Sequence, residues 1–154
     1  MKLLSFDIEI SDVFDMKPGE DMEQYAPFHI SVAATAIHNG DEKIWYSEDE
    51  QAKPALNLNQ KRAHELLEYL DEMQQQDYMV CAWNGLSFDL KWIGHQANDM
   101  ALAAKIALKS YDPMFQFFNI AGFPVGLAKV AQSMGVSQEK LMDGADAPQQ
   151  WCDG

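Results

Sequence analysis

Two acidic residues near the N-terminus, Asp7 and Glu9, stand two positions apart. Apolar side chains alternate with them at Leu4, Phe6, Ile8 and Ile10. This alternation predicts a β-strand over residues 3–10 in which both carboxylates leave the same face. Asp and Glu are poor strand residues, and neighbouring carboxylates repel each other unless a cation joins them. The pair therefore indicates a site for Mg²⁺ or Mn²⁺, which prefer oxygen ligands, although a solvent-exposed strand face would carry the same pattern.

A third candidate acid, Asp89, ends the segment Asn-Gly-Leu-Ser-Phe-Asp at residues 84–89. The segment follows an almost wholly apolar stretch at 78–83 and opens a helical pattern at 88–97. Asp89 is therefore predicted to lie in the first turn of a helix. An acid there also complements the helix dipole, a contribution of about 0.3–1 kcal/mol, so the segment alone leaves both a chemical and a structural role open.

Together the two segments resemble known motifs. Phe-Asp-Ile-Glu at 6–9 and Trp-Asn-Gly-Leu-Ser-Phe-Asp-Leu at 83–90 resemble the first two motifs of the DEDD superfamily of 3′–5′ exonucleases. By pattern, the chain is most similar to predicted exonucleases related to the proofreading domain of family B DNA polymerases, whose motifs are D-x-E and N-x-x-x-F-D. The matching residues are Asp7, Glu9, Asn84, Phe88 and Asp89. Stretches at 126–127, 135–136 and 140–144 resemble the region between that family's second and third motifs, so the resemblance covers nearly the whole chain.

The resemblance implies a ribonuclease H-like fold and a two-metal phosphodiesterase. Two Mg²⁺ or Mn²⁺ ions ~3.5–4 Å apart would clamp the scissile phosphate. Asp7 would bridge both ions, Glu9 would hold the first, and Asp89 would mainly hold the second. The implied substrate is the 3′ end of a nucleic acid, with single-stranded DNA favoured over RNA.

The resemblance also implies which residues contact the substrate. Ile10, where many relatives have Thr, and Asn84 would lie beside the terminal nucleotide. Phe88 would pack beneath the site and fix the orientation of Asp89. Asp112, between Tyr111 and Pro113, matches a recurring acidic position in relatives, and an Asp-Pro turn explains it equally well.

One part of the family pattern is missing. The third motif needs a Tyr or His a few residues before a fourth Asp, and no Tyr-x-x-x-Asp occurs in the 154 residues. His95 and Asp99 have the right spacing but follow the second motif directly, so His95 is predicted to be an ordinary helix residue, on the surface or in the core.

The late acids do not replace the third motif. They are Asp143, Asp146 and Asp153. All three lie in a polar segment with Pro and Gly that is predicted to be a loop, and a loop is a poor platform for a metal ligand. We expect that residues 1–154 form one domain that lacks the C-terminal helix carrying this motif. Either that helix lies beyond Gly154, or the chain is a shortened relative that binds without cutting.

The elements that must position these residues follow from periodicity and turn residues. Strands are predicted at 3–10, 28–37, 43–46 and 78–83, with a hairpin turn at His-Asn-Gly-Asp, residues 38–41. Helices are predicted at 59–76, 88–97, 99–109 and 126–134, with loops at 11–26 and 112–124. Asn59 is a plausible helix N-cap and Gly135 a natural helix end.

This order of elements predicts an α/β protein. The ribonuclease H-like architecture implied by the resemblance is a three-layer α/β/α sandwich with a mixed central sheet flanked by helices. The apolar strand at 78–83 should be buried on both faces and lie centrally, beside the first strand. The fraction of hydrophobic residues, 47%, is that of an ordinary globular protein.

Charge argues against an easy interaction with nucleic acid. The chain has 24 acidic and 11 basic residues, a net charge of −13, whereas phosphate contacts normally come from Lys and Arg. Two divalent ions would offset about four of these charges locally. The Phe-Gln-Phe-Phe stretch at 115–118 would either stack on bases or, as is commoner, belong to the core.

The remaining features point to an unexceptional cellular context. Cys81 and Cys152 are too few for a disulfide framework or a cysteine-based metal site, and Cys81 is predicted to be a buried thiol. The N-terminus lacks the apolar region of a signal peptide, and no apolar run approaches the length of a membrane span. The expected location is the cytoplasm, with no membrane partner.

Overall fold

The computed structural model describes residues 1–17, 19–136 and 146–153. The strands are β1 (Lys2–Ile10), β2 (Ile30–Ile37), β3 (Glu42–Trp45) and β4 (Tyr78–Cys81). The helices are α1 (Gln60–Gln75), α2 (Asp89–Ala97), α3 (Met100–Ala107), α4 (Pro113–Ala121), α5 (Leu127–Ser133) and α6 (Ala147–Asp153), with a short 3₁₀ helix at Met22–Tyr25. Within the described residues, no helix has the length and apolar character needed to cross a bilayer.

The strands form one mixed sheet in the order β3-β2-β1-β4. β1 pairs antiparallel with β2 and parallel with β4, and β2 pairs antiparallel with β3. The Asn-Gly turn makes the β2–β3 hairpin, with Asn39 at φ 58°. The predicted α/β fold with a mixed sheet is therefore confirmed.

The predicted central position of the apolar strand is wrong. β4 does lie beside β1, but among the described residues its other side meets only a single bridge, from Cys81 to Tyr111. Pairing stops there because Asp112 and Pro113 turn the chain into α4, and proline has no N–H to extend a ladder. Met79, 37% exposed, accordingly faces solvent, so the strand is not buried on both faces.

Helices α1 and α2 pack against one face of the sheet, and α3 packs against both of these helices. α1 begins at its predicted N-cap, where the Asn59 side chain accepts from the Arg62 N–H at 2.8 Å. Its apolar stripe is fully buried against the strands, at Ala63, Leu66, Leu67 and Leu70. The alternate positions of β1, Leu4, Phe6, Ile8 and Ile10, supply the other side of this core.

Two segments predicted to be loops are helical. Residues 113–121 form α4, capped by the Asp112 carboxylate on the Met114 N–H at 3.0 Å and ended by Gly122 at φ 80°. Pro113 stands at the first turn, where its missing N–H costs nothing. The C-terminal residues 147–153 form α6, although they were predicted to be an irregular tail. Asp143 and the stretch at 140–144 lie outside the described residues.

Candidate functional site

β1 carries Asp7 and Glu9 on the face opposite the helical core. Asp7 is exposed and Glu9 half-buried, while Phe6, Ile8 and Ile10 between and beside them are buried. Their cross-strand partners on β2 are Ala34 and Val32. The two carboxylates therefore share one face of the sheet, as predicted, and the neighbouring alanine leaves open space above Asp7.

A groove of about 310 Å³ lies over Asp7. Its floor is formed by small residues of the sheet, Ser5, Ala34 and Ala36. Its far wall comes from Trp83, which follows β4, and from Pro113 of α4 and Leu127 of α5. We call this space the Asp7 groove. It brings Asp7 close to α4 and α5, and nothing in the sequence predicted that these helices would lie near Asp7.

A second cavity, of about 450 Å³, lies further along the same strand and is lined by Glu9. Ile10, Asn84 and Phe88, the three residues predicted to contact substrate, all line it. We call it the Glu9 cavity. The remaining lining comes from the loop after β1 and from α6, through residues such as Val13, Phe14, Met16, Pro148 and Gln149. Both contributions were missed, because neither segment carries a recognisable motif.

Asp89 joins α2 to β1. It occupies the first turn of the helix, as predicted, and its Oδ1 accepts the Ile8 N–H at 3.1 Å. This N–H has no strand to bond, since the parallel partner β4 pairs with β1 only as far as Ser5. The Asp89 carboxylate therefore accepts the hydrogen bond that a strand carbonyl would otherwise accept. It does so at Ile8, between Asp7 and Glu9.

The environment of Asp89 opposes its negative charge. The residue is 4% exposed, and burial, followed by the nearby charge of Asp7, raises the pKa of its carboxyl to about 7 despite the hydrogen bond from Ile8. A carboxylate that pairs with a cation would escape this penalty. Carboxylate oxygens are also the ligand type that Mg²⁺ and Mn²⁺ prefer. The donors contributed by Asp7 and Asp89 thus fit a divalent metal.

The geometry of the described residues does not by itself form a complete metal centre. Among residues 1–17, 19–136 and 146–153, no three His, Cys, Asp or Glu side chains are grouped so as to hold an ion. His95 is exposed on α2 and stacks on Trp92, with ring centroids 5.2 Å apart. His95 is therefore an ordinary residue of the helix surface, which was one of its two predicted positions.

The Asp112 carboxylate accepts hydrogen bonds from three backbone N–H groups. Its side chain is 4% exposed, and its Oδ1 accepts the Asn84 and Met114 N–H groups, both at 3.0 Å. Its Oδ2 accepts the Leu86 N–H at 3.1 Å. One carboxylate thus caps α4 and fixes the turn that precedes Asp89. That turn needs fixing because Asn84 sits at φ 65°, a conformation uncommon for a residue with a side chain.

An aromatic cluster supports the other side of the turn. Phe88 packs on Phe28 with ring centroids 5.7 Å apart, and Phe28 meets Trp92 edge-on at 4.8 Å. Phe14, from the loop after β1, lies 5.9 Å from Phe28. Phe88 therefore packs in an aromatic cluster beside the start of α2.

The fold and the site together define an α/β domain of the ribonuclease H-like class. A sequence model of the RNase H superfamily matches residues 29–153, most of the 154-residue chain. The chain therefore belongs to the RNase H superfamily. Members of this superfamily are generally nucleases, usually use divalent metals, and act on nucleic acids.

A solved structure shows the same fold. The family B DNA polymerase from the hyperthermophilic archaeon Pyrobaculum calidifontis superposes with a TM-score of 0.60 at 15% identity, over 99% of this chain and 21% of the polymerase chain. The chain thus spans about a fifth of that polymerase's length, and at this identity the likeness concerns the fold alone. No curated protein matches the sequence significantly.

Proposed function

We propose that this domain is a metal-dependent 3′–5′ exonuclease that hydrolyses phosphodiester bonds at single-stranded DNA ends. The observation that carries the proposal is the position of Asp89. Its carboxylate is buried and accepts a hydrogen bond from the Ile8 N–H. Burial, and after it the charge of Asp7, raises its pKa to about 7. Buried acids with strongly perturbed pKa values cluster at functional sites. The match to the RNase H superfamily and the two motifs point to the same chemistry.

In this proposal Asp7, Glu9 and Asp89 hold two Mg²⁺ or Mn²⁺ ions. When bound, such ions would supply an activated water and charge stabilisation at the phosphate. The chain's own task is to place carboxylates on rigid backbone, and a strand and a helix start meet this need better than loops do. Because Asp112 fixes the turn before α2, we propose for it a positioning role rather than direct contact with substrate.

The terminal nucleotide would enter the Glu9 cavity, whose volume of about 450 Å³ falls in the range of small-molecule sites. Ile10 and Phe88 would offer apolar contact to the sugar and base. Asn84 would offer an amide for hydrogen bonding. Water would be excluded on one side by Pro148 and Gln149 of α6.

The direct test is release of the terminal nucleotide from a 3′-labelled single-stranded oligonucleotide. We expect Mg²⁺- or Mn²⁺-dependent release, lost in EDTA and reduced at least a hundredfold by Asp7→Asn or Asp89→Asn. Both substitutions keep the side-chain volume and remove one metal-binding charge. Glu72→Gln, an exposed acid on α1, is the matched control. Release that continues in EDTA, or that survives both substitutions, would refute the proposal.

A second function is favoured by one observation: among the described residues, no group of three ligands is arranged to hold an ion. The domain would then bind a nucleic-acid end without cutting it. Titration with Mn²⁺, followed by electron paramagnetic resonance, separates the two functions. Two tight sites support the exonuclease, while one weak site together with oligonucleotide binding supports the binding module.

A further inference from the structure

Helices α4 and α5 expose an unusually apolar surface. Its side chains are between 37% and 87% exposed, and we call them the α4–α5 surface: Phe115, Phe117, Phe118, Ile120, Phe123 and Leu127. In α4 the buried side chain is Met114. The commoner expectation, that the phenylalanines belong to the core, is therefore wrong. Exposed apolar patches of this kind usually mark a site of interaction.

The charge pattern limits what can bind there. Residues 113–136 contain no Asp or Glu and a single charged residue, Lys129, although the whole chain carries 24 acids and a net charge of −13. A polyanion is repelled by most of this chain. The α4–α5 surface lies in the longest acid-free stretch of the sequence, so its own residues add no negative charge that would repel a polyanion.

The surface is continuous with the candidate site. Trp83 packs on Phe117 with ring centroids 5.6 Å apart, and its Nε1 donates to the Val125 carbonyl at 3.1 Å. Trp83 also lines the Asp7 groove, together with Pro113 of α4 and Leu127 of α5. A ligand that leaves the groove on this side therefore passes directly onto the phenylalanines.

We propose that the α4–α5 surface binds the unpaired nucleic-acid strand that leads into the Asp7 groove, with successive bases stacked on its aromatic rings. The inference rests on the proposed function and adds the path of the substrate. Stacking of a base on an aromatic side chain contributes about 1–3 kcal/mol and needs no basic residue. This explains how a chain with few Lys and Arg residues would hold a polyanion: the affinity comes from ring faces on a segment that carries no acid.

The amides on the same helix fit this occupant. Gln116 and Asn119 are exposed among the phenylalanines, and neutral amides can hydrogen-bond to bases without repelling the backbone. An apolar surface of this kind can also bind a second copy of the chain or another protein. Neither of these partners would require the α4–α5 surface to be continuous with the Asp7 groove.

The first test removes two rings. Binding of a fluorescein-labelled short oligothymidylate is followed by anisotropy in EDTA at low ionic strength. The double substitution Phe115→Ala and Phe118→Ala should raise Kd about tenfold or more, as expected for the loss of stacking. Leu108→Ala removes an even more exposed apolar side chain, 89% exposed at the end of α3, and should leave Kd unchanged. An unchanged Kd in the phenylalanine variant overturns the proposal.

The second test adds charge without disturbing packing. Gln116→Glu places one acid on the α4–α5 surface, and Gln51→Glu places one on an exposed loop elsewhere. The first should weaken oligothymidylate binding several-fold more than the second, with the difference shrinking at high salt. Equal effects overturn the proposal. So does a concentration-dependent dimer in sedimentation that Phe115→Ala and Phe118→Ala convert to monomer.

The two proposals fail in different ways. Hydrolysis of the p-nitrophenyl ester of thymidine 5′-monophosphate by the unaltered protein with Mn²⁺ tests the exonuclease alone, because this substrate has no further nucleotides whose bases could stack on the α4–α5 surface. If the ester is hydrolysed and the double phenylalanine substitution leaves oligothymidylate binding intact, only the path across α4 and α5 is refuted. If the ester and the labelled oligonucleotide are both left uncut, the exonuclease is refuted.

Discussion

At the scale of single residues, two buried aspartates have different tasks. Asp89 accepts backbone N–H groups from Ile8 and from its own residue, yet its pKa remains raised to about 7. Asp112 accepts three backbone N–H groups, from Asn84, Leu86 and Met114. A carboxylate that is fully engaged with backbone donors stabilises structure, whereas one held beside a second acid is costly without a cation. The environment therefore separates a candidate ligand from a structural residue of the same type.

The raised pKa of Asp89 makes a prediction about stability and pH. Its carboxyl binds a proton more tightly in the folded chain, with a pKa of about 7, than in the unfolded chain, near 3.8. Stability in EDTA should therefore fall as pH rises from about 4 to about 7. Asp89→Asn removes this cost and keeps an oxygen for Ile8, so at about pH 8 it should stabilise the protein by roughly 2–4 kcal/mol.

Urea denaturation at about pH 4.5 and about pH 8 measures this difference. The gain should fall to about a quarter at the lower pH, where Asp89 is protonated in the folded state and the pH is close to the unfolded pKa of 3.8. Glu72→Gln, on the exposed side of α1, should change stability by less than about 0.5 kcal/mol at either pH. A variant at Asp89 that is less stable than the original protein at the higher pH would contradict the argument.

Asp112 yields the opposite prediction. Asp112→Asn keeps an oxygen for two of the three N–H groups and turns an amide donor toward the third, at Leu86. The loss should be about 1–3 kcal/mol in urea denaturation. Asp99→Asn is the matched control because Asp99 caps α3 through the Leu102 N–H at 2.9 Å, and Asn caps a helix as well as Asp does. Equal losses at both positions would show that Asp112 is only a helix cap.

At the scale of elements, the close approach of α2 and α3 depends on a glycine. Gly94 lies at their contact, and a Cβ there would stand 2.7 Å from the Ala103 Cβ and 2.9 Å from the Met100 sulfur. The methionine can move, but the alanine Cβ is fixed to its helix. The absence of a side chain at Gly94 is thus what lets the two helices pack this closely.

Gly94→Ala weighs two effects of opposite sign. Alanine favours the helix by about 1 kcal/mol over glycine, while the steric overlap forces α2 and α3 apart at an overpacking cost of about 1–3 kcal/mol. We expect net destabilisation by thermal denaturation, since the overlap involves a helix-bound atom. Gly126→Ala, where a Cβ meets nothing within 4 Å, should cost no more than about 1 kcal/mol, the preference for Gly over Ala at the N-cap of α5. A stabilised Gly94 variant would contradict this packing argument.

At the scale of the whole molecule, the net charge of −13 dominates. Several of the few basic side chains are already paired, as Lys105 is with Asp71 at 2.7 Å and Lys91 with Glu23 at 2.8 Å. Such a charge opposes the compact state through self-repulsion and opposes the approach of nucleic acid. Bound divalent ions would relieve both effects in one place.

This charge predicts how the protein responds to salt and metal. The thermal midpoint should rise with NaCl, because screening weakens the repulsion among carboxylates. Mn²⁺ at matched ionic strength should raise it further, by preferential binding to the folded state. The further rise should disappear in Asp7→Asn and remain in Glu72→Gln. A rise of the same size in all three proteins would show that Mn²⁺ acts as general salt.

The local sequence pattern was enough to predict many elements of this chain. Alternation in β1 put Asp7 and Glu9 on one face, Asn59 predicted the start of α1, and Asn-Gly predicted the hairpin. α4 could have been predicted from the same kind of signal, since Asp112, Pro113 and Gly122 are its cap, first turn and end. These features depend on neighbours within a few residues, which is why sequence suffices for them.

The sequence by itself determined which residues are candidates for a metal site, and only the tertiary structure decided what surrounds them. The early end of β4 leaves the Ile8 N–H for Asp89, 81 positions away, and burial beside Asp7 then raises the Asp89 pKa. The placement of α4 and α5 beside Asp7 likewise leaves phenylalanines exposed that a pattern would bury. Pairing, burial and charge proximity depend on residues distant in the chain, so they are settled only when the elements pack.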